Sequence, residues 1–187
     1  MYRLGERHDG EGRYVRAIRH IRGAGIAPGI LAQDSARADG VLFYVQQGFA
    51  DVAILSAAVK TLRATPVVLV AAPGVGYFLE FVSAFLMLDY AGTNVFSEAA
   101  AYDTVVRYGI TTGVIASQTI ESTGWLYQAA DTYTNALPKI DAIGVTAGLE
   151  NLALVLHNSG AGEVAGNAGA DNIVRVRTFF RIHQLLV

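Results

Sequence analysis

Apolar residues fall in short β-branched and aromatic runs over the C-terminal three-quarters of the chain: Pro66–Ala71, Tyr77–Tyr90, Thr104–Tyr108, Val114–Glu121, Asn151–His157 and Asn172–Leu185. Turn chemistry separates them, as in "AAPGVG", "DYAGTN", "YGITTG" and "HNSGAGEVAGNAGADN". Runs of this length divided by Gly, Asn and Asp predict an all-β chain, an antiparallel sandwich or barrel. The last run alternates most clearly, with Val174, Val176 and Phe179 against Arg175 and Arg177, and its period slips near Thr178–Phe179 as a β-bulge would make it. In Tyr77–Tyr90, Phe78, Glu80, Val82 and Ala84 oppose Leu79, Phe81, Ser83 and Phe85, so both faces are largely apolar. Such a strand lies between two layers or between subunits.

Upstream, "VLFYVQQGFADVAIL" reads as a strand from Val41, and Ser56 stands where it would cap a short helical turn, "AAVKTLRA". Pro66 opens the next strand, and the Pro73–Gly74 pair predicts a hairpin that returns along Tyr77–Tyr90. Before Val41 the pattern breaks down. Gly5, Gly10, Gly12, Gly23, Gly25, Pro28 and Gly29 interrupt the chain too often for a long helix, and the Arg spacing in "RYVRAIRHIR" matches no strand alternation. Residues 1–37 therefore read as an extended N-terminal arm, and 38–187 as the sandwich body.

Charge sharpens that division. Residues 1–37 hold seven Arg against Glu6, Asp9, Glu11 and Asp34, a net +3, while the rest of the chain carries −5. The asymmetry fits two readings equally, a solvated surface segment or an arm that meets an acidic partner, protein or nucleic acid, through Arg13, Arg16, Arg19 and Arg22, although +3 is far below the basicity of a dedicated nucleic-acid binder. Apolar residues make up 52% of the chain, charged residues 16%, and mean hydropathy is +0.36, which is more apolar surface than a monomer hides easily. A membrane span does not absorb it, because Pro73, Gly74, Gly76, Glu80 and Asp89 interrupt the longest apolar stretch. A subunit interface does, with Phe78, Phe81, Phe85 and Trp125 as its expected residues in a closed homo-oligomer. The first residues have no apolar core of a signal peptide, so the protein is expected to stay where it is made.

Candidate chemistry is sparse. Zero cysteines removes disulfides, thiolate metal sites and a cysteine nucleophile. His8, His20, His157 and His183 are too far apart in the chain for ligand spacing and read as surface or sheet-edge residues. "AAPGVGY" lacks the Lys-Ser/Thr and the helix of a phosphate-binding loop. The glycine-rich stretch with Glu163 and Asp171 lacks the alternating acids of a calcium loop and reads as a long solvated loop. No GxSxG elbow is present. Trp125, Tyr127 and Tyr133 could form a sugar-binding platform, but aromatics at such positions more often belong to a core or an interface. No catalytic residue, metal or cofactor is expected.

Four segments, "DVAILSAAVKTLRATPVVLVAAPGVG", "LDYAGTNVF", "STGWLYQAADTY" and "ALVLHNSG…GNAG…NIVRVRTFFRIH", together resemble small virion structural proteins of tailed bacteriophages, in particular head decoration or cement proteins. The resemblance spans about Ala50 to Val187. It implies a β-sandwich or jelly-roll subunit, a homotrimer at three-fold positions of the capsid, with the major capsid protein as partner and an N-terminal extension that reaches across the shell. Location on the virion surface, after synthesis in the host cytoplasm, follows from it. The alternative reading is a tail or fibre component whose jelly-roll module binds glycans through Trp125 and neighbouring Tyr. Neither reading includes a membrane or direct contact with nucleic acid.

Overall fold

A computed structural model describes residues 32–38, 41–97, 103–139 and 146–185 of the 187-residue chain, with side chains described from residue 46 onward, except those of 146 and 147. Among them the first part of the chain forms β1 (Ala32–Ala38), β2 (Val41–Leu55), the single-turn α1 (Ser56–Val59), β3 (Val67–Val70) and β4 (Tyr77–Asp89). The middle part forms β5 (Phe96–Ser97), β6 (Asp103–Tyr108), β7 (Ile120–Glu121) and β8 (Thr132–Ala136). The short helix α2 (Thr146–Leu149), β9 (Leu154–Asn158), β10 (Ala165–Gly166) and β11 (Ile173–Gln184) follow. A five-stranded sheet runs β1-β2-β11-β4-β8, a four-stranded sheet β3-β9-β6-β7, and β5 pairs with β10, every pairing being antiparallel.

The two larger sheets pack face to face. Leu79, Phe81, Leu86, Leu88, Val174 and Val176 from one meet Leu69, Val106, Tyr108, Leu154 and Leu156 from the other in a single core. The fold is thus the all-β antiparallel sandwich that the spacing of apolar runs predicts. Of the expected arm over 1–37, residues 1–31 lie outside the described residues, and Ala32–Ala38 pair with Gln47 back to Val41 at the edge of the sheet.

Several local expectations change. The link through Pro73–Gly74 is not a hairpin, because β3 pairs with β9 while β4 pairs with β11 and β8. It crosses from one sheet to the other, with Gly74 and Gly76 at φ +106° and +82°, a region that costs glycine little. Asn151 Oδ1 and Glu150 Oε1 accept the Gly74 and Gly76 N–H groups at 2.9 and 2.6 Å and hold the crossing in place. Ser56 does not cap α1. The N-cap is Leu55, without a side-chain hydrogen bond, and Ser56 is the first helical residue with its hydroxyl buried. The run Val114–Glu121 is mostly irregular, with bridges at Ile115 and Ser117 before β7. Its entry depends on Gly113, where a Cβ would stand 1.7 Å from the Tyr108 carbonyl oxygen.

The register shifts between Phe179 and Phe180, beside the expected position, but the extra residue is on the partner strand. β11 alternates without a break: Val174, Val176 and Thr178 are buried, and Phe180 and Ile182 pack on the core. Its register with β2 is regular, whereas against β4 Phe179 pairs with Ser83 and Phe180 with Phe81, which leaves Val82 as the extra residue. Ala84 therefore faces the core with Phe81 and Leu79 rather than sharing a side with Phe78 and Glu80.

Candidate interaction surface

The period of two along β2, β11, β4 and β8 that buries one face of the five-stranded sheet sends the alternate residues to the other. Across that outer face the registers align Asp51 with Arg177 and Arg177 with Phe85, and the next pair is Phe49 with Phe179. Arg177 donates through Nε and Nη2 to the two oxygens of Asp51 at 2.7 and 2.8 Å, a forked geometry that fixes both side chains. This hydrogen bond is the main reason the Asp51 carboxyl sits below its ordinary range, and it holds Arg177 above its own. The same guanidinium lies 4.9 Å from the Phe49 ring centroid, and Phe49 meets Phe179 at 6.4 Å.

Two further cations on the face are also paired, without the two-oxygen fork. Arg175 donates to Asp89 at 2.8 and 3.1 Å, and Arg181 to Glu80 at 3.1 Å. Glu80 also meets His183 Nε2 at 2.7 Å, and the His183 ring stacks on Phe78 at 4.9 Å. Near the β8 edge, Phe85 and Tyr133 stack at 5.3 Å with 25° between their planes. Each exposed ion pair adds little stability in water, but a row of them with stacked rings holds long side chains in fixed places.

Where β8 stops pairing with β4, a cleft of about 260 Å³ opens, lined by Glu80, Val82, Tyr108, Val114 and Lys139 among others. Burial pushes the Tyr108 phenol above its ordinary value of 10, against the opposing effect of a hydrogen bond with the Phe81 backbone. It can serve there as a neutral hydrogen-bonding group. Among the described residues, no three or more His, Cys, Asp or Glu side chains come together in a way that could hold a metal ion.

No family model, curated protein or solved structure matches the chain. The surface has to be read from its own chemistry.

Of the aromatic residues expected at an oligomer interface, Phe81 and Trp125 are in the core at 4% and 2% exposure, and Phe78 and Phe85 lie on the outer face. Trp125 is held there by a turn in which Leu126 N donates to Ser122 O at 2.8 Å, and Thr132 Oγ1 donates to the Trp125 carbonyl at 2.6 Å. A sugar platform built on the indole has no access to it, and only Tyr133 of that trio is well exposed. Arg13, Arg16, Arg19 and Arg22, together with His8 and His20, lie outside the described residues.

His157 is a correction to the surface or sheet-edge expectation. It sits at 5% exposure on β9, between β3 and β6. Burial, then the charge of Arg107, pushes its pKa below the ordinary 6.5. The glycine-rich stretch is mostly exposed as expected, but Asn158, Asn167 and Asn172 within it are fully buried. Asn167 and Asn172 both donate to the Asn94 carbonyl, at 2.9 and 2.8 Å, and Asn172 Oδ1 accepts from Ala91 N. Glu163 accepts the Arg63 and Ala64 N–H groups beyond α1. Sequence reasoning missed the pairing of Asp51 with Arg177. Their opposite charges become a signal only once the β2–β11 register is known.

Proposed function

We propose that this chain is a virion structural protein of a tailed bacteriophage that decorates and reinforces the assembled head shell. The observation that carries the reading is the four-segment resemblance to decoration proteins. It is supported by a body that offers broad, pre-ordered sheet surface. The mechanism is a clamp. A protein that binds the closed lattice better than its separated subunits shifts the equilibrium toward the lattice by mass action. The basic arm supplies electrostatic attachment to an acidic outer surface, acting mainly on association and screened by salt.

The test is to add the protein to undecorated phage heads assembled from a major capsid protein of the same source. Saturable co-sedimentation and a higher temperature of head disruption are expected. Replacing Arg13, Arg16, Arg19 and Arg22 with Ala should weaken binding, and raising the salt concentration should reproduce part of that loss in the wild type. Heads that neither bind the protein nor gain stability from it would overturn the reading.

A further inference from the structure

We propose that the outer face of the five-stranded sheet is where this chain assembles with copies of itself. The proposal stands apart from the head-decoration reading and can fail or hold independently of it. Composition is the first argument. The face exposes Leu55 at 63%, Tyr133 at 67% and Phe85 at 38%, with Phe49 and Phe179 half-buried beside them. Aromatic residues and Arg are the types enriched at the centres of protein interfaces, and Lys is depleted there. Lys60 lies in the turn after α1, and Lys139 lines the cleft with Glu80 at the margin of the face.

Charge selects the partner. Arg175, Arg177 and Arg181 are each matched by Asp89, Asp51 and Glu80 on a neighbouring strand, so these six charges cancel among the described side chains of the face. A surface neutralised in place has no field to draw an acidic shell, a nucleic acid or a basic protein. Two copies of it can meet without like-charge repulsion, which is the electrostatic requirement for self-complementary contact. The side chains also lose little freedom on docking, because the forked Arg177–Asp51 pair and the Phe85–Tyr133 stack already fix them within one subunit.

Sedimentation velocity and light scattering on the full chain test this. The wild type should be a closed oligomer of the 19.9 kDa subunit. Tyr133→Arg combined with Leu55→Arg should weaken association by roughly tenfold or more, while leaving the circular dichroism spectrum unchanged, as these side chains are mostly in solvent. Val75→Arg, at 80% exposure in the crossing between the sheets, is the control that should assemble normally. A second arm uses charge alone. Asp51→Asn leaves Arg177 unmatched in every copy and should weaken assembly at low salt with recovery at high salt, whereas the swap Asp51→Arg with Arg177→Asp should restore it. A wild type that stays a single subunit at all concentrations overturns the proposal. So does an oligomer indifferent to both sets of substitutions. A monomer that loses binding to heads through Tyr133→Arg also overturns it, and assigns the face to the capsid instead.

Discussion

Thr178 shows how one residue can mislead a reading of pattern. Its polar side chain suggests solvent, yet strict alternation along β11 puts it in the core at 0% exposure, where Oγ1 finds no hydrogen-bond partner in the protein. A buried hydroxyl without a partner costs stability, and valine has nearly the same shape without that group. Thr178→Val should therefore raise the free energy of unfolding by about 1 kcal/mol in urea titrations; a loss of stability would mean that the hydroxyl is satisfied. His157 carries a pH dependence. The unfolded chain takes up a proton near the ordinary 6.5, while the folded state resists it until lower pH. The unfolded state then binds more protons, so stability must fall as pH drops through about 6.5 and be fully present above it. Asp51 and Asp171, both shifted below 3.8, act in a separate and more acidic window. Denaturant midpoints measured between pH 8 and pH 5 should show the decline, and His157→Leu should flatten it.

At the scale of elements, long amphipathic strands were legible and their partners were not. β2 begins and ends where its apolar run does, at Val41 and Leu55, and β4 and β11 deviate from their expected bounds only at the ends. Periodicity is a local property, so one strand's own residues carry it. The choice of neighbour is not local: Pro73–Gly74 looks like a hairpin turn, but β9 and β11, far along the chain, decide which sheet β3 and β4 join. The bulge was legible only as a disturbance. In "FVSA" neither Val82 nor Ser83 is marked as the extra residue, since either could face in or out, whereas the inward Thr178 on the adjoining strand imitates a slip. Deleting Val82 should bring Phe81 and Ser83 into regular pairing with Phe180 and Phe179 and leave a cooperatively folding protein. Deleting Leu86, within the regular ladder, should turn part of the strand's inward set toward solvent and abolish the thermal transition seen by circular dichroism.

For the molecule as a whole, composition showed that apolar surface had to be hidden, but not where. Trp125 was open to several readings because an indole suits core, interface and platform alike, and only the Ser122–Leu126 turn settles it inside. The outer face could not be seen at all without register, since its matched pairs join Asp51 to Arg177 across 126 residues and Glu80 to Arg181 across 101. The position of β11 has a further consequence, in time rather than in space. It is the central strand of its sheet and lies later in the chain than every strand it joins, so β2 and β4 have no contact with each other until it inserts between them. A chain with such high contact order pays the entropy of closing its longest loops before any pairing rewards it. Refolding from urea should accordingly take on the order of milliseconds to seconds, which stopped-flow fluorescence of Trp125 can follow; microsecond folding would contradict it. During synthesis, β2 and β4 emerge with the edges that β11 will pair left open and remain so until β11 leaves the ribosome, which makes this interval a period of exposure to edge-to-edge aggregation and to chaperones.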